Sequence, residues 1–406
     1  MRLSRAKESS STRKHRISNI EYPISKIHSS ISDIQCWILD IQQSDKIVTE
    51  LEAMHRAIEL ALEGWGRVAP NPLVGAVLLR DGKVIGEGYH AEFGGPHAEI
   101  SALDGCDDAT GATCVVTLEP CVHHGKTPPC CDALASAGVA RVVAAIPDPT
   151  PAAGGGLDRL REAGIDVELG VAAAEAAAVN APFLFGAVQS ERPFVAVKVA
   201  TSLDGFLADE TGRSQWISGS VAREYVHWLR AGHDAIGVGR RTTVADDPLL
   251  TVRGPIEPRV PPTRVVFTVS GDIPPHLRLW DTETAPTIVV TSPGRAVELS
   301  QAIAHTQVTV LEAKDLTAAL AALRKEGIRS ILIEGGATLV GAMFEAGVVD
   351  RLYWIKAPIW LGKGVAAFKG REAVPLDDAR PWTVTGRRAL GPDTLLVVDR
   401  ELCLQG

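Results

Sequence analysis

The chain has 406 residues, 46% of them hydrophobic and 22% charged, with a formal net charge of -8. That length exceeds what a single core supports, so two domains are expected. The acidic balance excludes a body shaped for nucleic acid, because affinity for polyanions needs clustered Lys and Arg, and no apolar run approaches the ~20 residues of a membrane span.

Residues 1–48 are rich in Ser, Ile, Arg and Lys, whereas the chain from Leu51 onward is dominated by Ala, Gly, Val and Leu. A transit peptide, a disordered extension and upstream sequence from a misassigned start all fit that change. The abruptness of the switch favours the last two. From Glu50 to Gly66, Leu51, Met54, Ala57, Ile58, Ala61 and Leu62 recur at helical spacing and a glycine ends the run, which predicts a helix. "VGAVLLRDGKVIGEGYH" reads as strand, Asp-Gly turn, strand. A helix is expected at "ISALDG", a buried strand at "ATCVVTLEPC", helix then strand at "CCDALASAGVARVVAAI", a loop at "PDPTPAAGGG", and helix then strand at "LDRLREAGIDVELG". This alternation predicts a three-layer α/β sandwich over residues 49–190.

A second α/β domain is expected over 191–406, with the boundary near Ser190. Its predicted strands are Phe194–Ala200, Ala235–Val238, Arg264–Val269, Thr287–Thr291, Val308–Leu311 and Ser330–Ile333; its predicted helices are Val221–Leu229, Thr317–Lys325 and Thr338–Ala346.

Seven cysteines, four of them between Cys114 and Cys131, look unlike a disulfide framework. They suit a thiolate site in a reducing compartment, which points to the cytoplasm. The tripeptide His-Ala-Glu occurs twice, at His90-Ala91-Glu92 and His97-Ala98-Glu99, and a His two residues before a Glu is half of a zinc-deaminase signature. The first copy runs into Phe-Gly-Gly, where a helix cannot comfortably continue. The second follows Pro96 and leads into a helix, a rigid platform for a ligand. His97 is therefore expected to bind metal and Glu99 to act as acid and base, with His90 and Glu92 left as loop residues near the entrance. Cys121 and Cys130 supply two thiolates. Three protein ligands leave a fourth zinc position for water, the arrangement of hydrolytic deamination. A closed structural zinc with Cys131 or His124 as fourth ligand uses much of the same inventory, but it gives Glu99 no task.

The second half contains no Gly-x-Gly-x-x-Gly after a strand, so an ordinary Rossmann cofactor site is unsupported. "SILIEGGATLVGAMFEAG" instead reads as strand, Gly335-Gly336, helix, and the free amides at such a helix start bind phosphate groups. Lys198 projects opposite Val197 and Val199, either into the same cleft or onto the surface.

The eight residues "VHHGKTPP" between Cys121 and Cys130 differ from the Cys-x-x-Cys of nucleic-acid and cytidine deaminases. With "PNPLVGAV" upstream and "SLDGFLA", "SQWIS", "DAIGVGRRTTVADDPLLTVR" and "APIWLGKG" downstream, residues 50 to 403 resemble the bifunctional riboflavin-biosynthesis (RibD-type) deaminase and reductase family. The resemblance implies an N-terminal cytidine-deaminase-like three-layer sandwich and a C-terminal dihydrofolate-reductase-like α/β domain, with Zn2+ and NADPH as cofactors. It implies hydrolysis of the 2-amino group of 2,5-diamino-6-(5-phosphoribosylamino)pyrimidin-4(3H)-one, then reduction of the ribosyl group of 5-amino-6-(5-phosphoribosylamino)uracil to ribityl.

By position in the family's motifs, Asn71, His123 and Lys126 would contact the deaminase substrate. Ala200, Trp216, Thr242, Asp246 and the loop Gly336, Ala337, Thr338, Leu339, Val340, Gly341 and Ala342 would contact NADPH. Ser214, Arg230, Leu250, Arg253 and Glu334 would hold the reductase substrate, joined by Lys198. Two departures stand out: the family's Asp-Pro-Asn-Pro reads Asp148-Pro149-Thr150-Pro151 in a loop one residue shorter, and Ser218 replaces the usual Thr. The expected partner is a small phosphoribosyl pyrimidine substrate, with no nucleic acid or membrane, and the chain is expected to form a homo-oligomer.

Overall fold

The computed structural model describes residues 47–123, 128–189, 191–254, 256–303, 307–368, 376–379 and 381–400. The expected extension lies outside them except for its last two residues, as do His124, Lys126 and the boundary residue Ser190.

Helix α1 (Glu50–Glu63) opens with a capping box, the Thr49 hydroxyl accepting the Glu52 N–H while the Glu52 carboxylate accepts the Thr49 N–H. The hairpin β1 (Gly75–Arg80) and β2 (Lys83–Tyr89) follows, then α2 (Ala98–Asp104), β3 (Thr113–Leu118), α3 (Cys130–Ser136), β4 (Arg141–Ile146), α4 (Gly156–Glu162) and β5 (Asp166–Leu169). Two further helices, α5 (Ala173–Val179) and α6 (Ala181–Val188), lead out of this half. The sheet order is β2-β1-β3-β4-β5, antiparallel as far as β3 and parallel from β3 to β5.

Side chains alternate across this sheet. Val77, Val115 and Val143 pack with Ala53, Met54 and Ala57 of α1, whereas Leu78, Val116 and Val142 pack with Ala98 and Ala102 of α2 and Leu134 of α3. Helices therefore cover both faces, which is why Ala76 to Leu79 read as an unbroken apolar run. Helix α2 lies so close on β2 that a Cβ at Gly88 would come 2.3 Å from Ala102 N. Glycine there seats α2, and with it His97 and Glu99, directly on the sheet.

The second half contains β6 (Phe194–Thr201), β7 (Phe206–Asp209), α7 (Ser220–Ala231), β8 (Ala235–Gly239), α8 (Arg240–Asp246), β9 (Thr263–Phe267), β10 (Thr287–Thr291), α9 (Ala296–Ala302), β11 (Thr309–Glu312) and α10 (Leu316–Lys325). It continues with β12 (Ser330–Ile333), α11 (Ala337–Glu345), β13 (Arg351–Lys356), β14 (Gly364–Ala366), β15 (Thr383–Leu390) and β16 (Asp393–Asp399). The nine-stranded sheet runs β11-β10-β9-β8-β12-β6-β13-β16-β15, parallel from β11 through β13 and closed by the antiparallel β16 and β15. Val195 and Val197 face α10 and α11, while Phe194 and Ala196 face α7. The expected strand Arg264–Val269 stops at Phe267, because Val269, 80% exposed, has left the sheet.

The halves meet at an aromatic stack. Trp65, just beyond α1, lies 4.2 Å from Trp228 of α7 at an interplanar angle of 9° and donates its indole N–H to the Trp228 carbonyl at 2.6 Å. A Cβ at Gly232 would fall 2.0 Å from the Trp65 ring, so only glycine lets the indole lie flat there. Buried Arg351 adds a second tie by donating to Ala178 O at 2.8 Å.

Candidate active sites in the two halves

In the first half, three segment ends converge. His97 is the N-cap of α2, Cys130 is the first residue of α3, and Cys121 lies three residues beyond β3. His97 Nδ1 is 3.2 Å from Cys130 Sγ and 3.5 Å from Cys121 Sγ, and the three donor atoms all lie within 4.8 Å of one another. The Cys130 thiol and the His97 ring stabilise the thiolate at Cys121, pulling it well below the usual thiol range. The same sulfur hydrogen bond, helped by burial, pushes Cys130 upward. One imidazole and two sulfurs, converging and largely dry, are the donor set of a zinc site with an open corner, so these residues fit zinc.

Cys131 turns away from this group and donates to Pro120 O at 3.2 Å. Among the described residues no fourth donor joins the three. Glu99, in the first turn of α2, is 3% exposed, and burial raises its carboxyl to about 7.

His90 is a loop residue, one position beyond the end of β2, but it is buried rather than standing at an open entrance. It is 3% exposed, its ring centroid lies 5.5 Å from that of His97, and its Nδ1 donates to Pro96 O at 2.8 Å. Because Nδ1 carries the proton, Nε2 accepts from the Asn71 amide at 3.0 Å. Alternation along β2 carried the signal: Gly86, Gly88 and His90 all point to the buried face. The His123 ring stands 6.1 Å from His97, whereas Glu92 is exposed and pairs with Arg67 at 3.0 Å.

In the second half, a cleft of about 1290 Å³ lies at the carboxyl ends of the parallel strands, where ligands bind in open α/β sheets. Ala200, Trp216, Thr242, Asp246, Gly336, Ala337, Thr338, Leu339, Val340 and Ala342 line it, as do Lys198, Ser214, Arg230, Leu250, Arg253 and Glu334. Gly341 is buried inside α11 and is not among the lining residues. The expected loop after Gly336 is already helix from Ala337, which aims the first amides of α11 at the cleft. Gly336 has φ +62, and a Cβ there would meet Thr242 Oγ1 at 3.0 Å, so glycine keeps this cradle shallow enough for phosphate groups. The volume and the cradle fit a dinucleotide.

Arg230 holds Glu334 bidentately, Nε to Oε1 at 2.5 Å and Nη2 to Oε2 at 3.0 Å, and donates Nη1 to Thr251 O at 2.9 Å. Lys198 Nζ lies 3.8 Å from Glu334 Oε2. Burial alone pushes the Glu334 carboxyl up, but Arg230 and Lys198 overcome it and the net shift is downward. Burial lowers Lys198. With Arg230 committed to Glu334, the exposed Arg253 is the freer cation. Among the lining residues that escaped the sequence reading are His227, which accepts the Arg253 backbone N–H at 3.0 Å, and Arg223, whose guanidinium lies 4.5 Å from the Trp216 ring centre. Both sit on α7, one helical turn apart from each other, facing the cleft.

A hydrolytic metal site built from His, Cys and Cys, joined in one chain to a cofactor cleft on a parallel sheet, defines a bifunctional deaminase and reductase. The model of the cytidine and deoxycytidylate deaminase zinc-binding region matches residues 48–146, and that of the RibD C-terminal domain matches residues 193–396. The chain belongs to the family of the riboflavin biosynthesis protein RibD.

The RibD of Escherichia coli (strain K12) is 42% identical over 369 residues, covering 84% of this chain and 97% of that protein. That of Aquifex aeolicus (strain VF5) is 40% identical over 316 residues, covering 77% and 88%. A crystal structure of a diaminohydroxyphosphoribosylaminopyrimidine deaminase/5-amino-6-(5-phosphoribosylamino)uracil reductase from Thermotoga maritima is similar with TM-score 0.72 and 34% identity, covering 86% of this chain and 98% of that one. The first half is thus cytidine-deaminase-like and the second dihydrofolate-reductase-like.

Proposed function

We propose that the chain carries out two consecutive steps of riboflavin biosynthesis, dividing the work near residue 190. The first half hydrolyses the 2-amino group of 2,5-diamino-6-(5-phosphoribosylamino)pyrimidin-4(3H)-one; the second reduces the ribosyl group of 5-amino-6-(5-phosphoribosylamino)uracil to ribityl with NADPH. One observation carries this reading: a buried carboxylate beside a His-Cys-Cys cluster, and a separate cleft holding a part-buried Arg-Glu-Lys group, occur in the same chain.

His97, Cys121 and Cys130 would hold zinc, which would acidify water enough to supply a nucleophile near neutral pH. Glu99 never ligates. Its carboxylate oxygens take the proton of the attacking water and return it to the departing ammonia as the C–O bond forms and the C–N bond breaks. Asn71, oriented by His90, turns Oδ1 toward a pyrimidine N–H, with the His123 ring on the same side of the metal ligands.

NADPH bound in the cleft would supply hydride. The amides at Gly336 and Ala337 would receive its phosphates, and the rest of the segment to Ala342, with Ala200, Trp216, Thr242 and Asp246, would fix its position. Arg253 takes the substrate phosphate, with Ser214 and Leu250 beside it. Arg230 holds Glu334 in place, and Lys198 is the buried cation available to give a proton to the sugar.

No helix among the described residues is long and apolar enough to cross a membrane. A cytoplasmic setting suits the free cysteines of the metal cluster. Association of chains would cover Leu203, Ile359 and Trp360, exposed together where Leu203 N donates to Ile359 O at 2.9 Å. The test supplies the diaminopyrimidine with zinc and NADPH and follows ammonia and nicotinamide absorbance together. Ammonia release followed by NADPH oxidation in equal amount is expected. Absence of NADPH oxidation when the aminouracil itself is supplied would overturn the second step.

A further inference from the structure

Glu119 stands between β3 and Cys121, is 8% exposed, and has no Lys or Arg partner among the described residues. A buried carboxylate without a cation needs hydrogen bonds, and this one has three, all from the loop after β4 and the first turn of α4 into which it runs. Oε2 accepts the Asp148 N–H at 3.0 Å, and Oε1 accepts the N–H groups of Gly155 at 3.1 Å and Leu157 at 2.9 Å.

That loop is the segment departing from the family pattern. Within it Thr150 closes back on Asp148, hydroxyl to Oδ1 at 2.6 Å and N–H to Oδ1 at 2.8 Å. It then lies against the metal ligands. Ala153 packs with Cys121 and Cys130, and its carbonyl accepts the Val122 N–H at 3.2 Å. Gly156 presses on Pro120 so tightly that a Cβ would fall 1.8 Å from Pro120 O. The Cys121 segment is therefore held from behind by a loop that Glu119 gathers.

We propose that Glu119 is a positioning residue for the zinc site: by pinning loop 148–157 it keeps Cys121 and Cys130 at coordinating distance. This rests on the reading that His97, Cys121 and Cys130 hold zinc. Removing groups that orient metal ligands costs about 10- to 100-fold in metal affinity, and the loss here is graded by hydrogen bonds lost. Glu119→Gln keeps an acceptor for Gly155 and Leu157 but turns an N–H toward the N–H of Asp148. Glu119→Ala removes all three acceptors.

The experiment measures zinc release from the folded full-length protein into a chromogenic chelator at a temperature well below unfolding, with reduction of supplied aminouracil as the control for folding. Release about tenfold faster in E119Q and about a hundredfold faster in E119A, with reduction unchanged, is expected. A residue that served stability alone would lower the unfolding temperature without changing release from the folded state, and that outcome overturns the proposal. A wild-type chain that holds no zinc overturns the metal reading itself; wild-type zinc retained equally well by E119A overturns the positioning role alone.

Discussion

Arg230 grips Glu334 through two parallel hydrogen bonds, of 2.5 and 3.0 Å, on the wall of the reductase cleft. Their side chains are only 12% and 6% exposed, so cutting the bond from one side leaves a mostly desolvated charge uncompensated. Arg230→Met strands the Glu334 carboxylate with Lys198 at 3.8 Å as its remaining cation. Breaking a buried pair in this way costs about 3–5 kcal/mol. We expect denaturant unfolding to show a loss of that order, and NADPH oxidation with supplied aminouracil to fall at least about a hundredfold in kcat/KM. A stable, active R230M protein would show that the pair is dispensable.

His233 gives the chain an acid-sensitive component. Its ring is buried, donates Nδ1–H to Leu229 O at 2.8 Å, and leaves Nε2 without a partner, so burial lowers it from 6.5 to about 4. Between those two values the unfolded chain binds a proton that the folded chain refuses, so stability falls as pH falls through this window. The loss from pH 7 to pH 5 is about 2 kcal/mol from this group. His227 is shifted in the same direction but is more exposed, and adds less. Urea midpoints across that range should decline in the wild type and decline less in His233→Gln; parallel slopes would contradict the assignment.

The Trp65 and Trp228 stack makes the join between halves testable. In Gly232→Ala the new methyl would lie 2.0 Å from the Trp65 ring and must push it aside. Overpacking of this kind costs about 1–3 kcal/mol. Calorimetry should then resolve two unfolding transitions, with each activity retained on its own supplied substrate. A single transition at the wild-type temperature would mean the indole is not what couples the halves.

The sulfur ligands separate the two chemistries. Cys130→Ser replaces a thiolate donor with a hydroxyl that stays protonated at neutral pH, so metal content should fall from about one zinc per chain to a small fraction of that. Ammonia release should vanish while reduction of supplied aminouracil continues, because Cys130 lies in the first sheet's domain and the cleft in the second's. Zinc at full occupancy in C130S would remove this cysteine from the ligand set.

What the sequence revealed and what it concealed follow from the physics of each signal. The convergence of His97, Cys121 and Cys130 was legible because it depends on local features: a helix start after Pro96 and cysteines at a distinctive gap. The central strands were legible because both faces are covered, which writes Ala76 to Leu79 and Ile331 to Ile333 as solid apolar runs. Strand β15 was not, because it forms the edge of the sheet and most of its residues, Arg387 and Arg388 among them, face at least partly outward. The Ala-rich α5 carries almost no apolar period. His90 was missed because its place depends on where a strand ends, and Glu119 because its three partners lie 29 to 38 residues away.

The central claim is that Glu99 moves protons at one site while a second, independent site performs reduction. Glu99→Gln, measured for ammonia release from the diaminopyrimidine and for NADPH oxidation with supplied aminouracil, tests it directly. The account predicts that zinc stays bound, ammonia release drops by at least about a thousandfold, and aminouracil reduction is unchanged. Ammonia release at the wild-type rate in a zinc-loaded E99Q protein would contradict it.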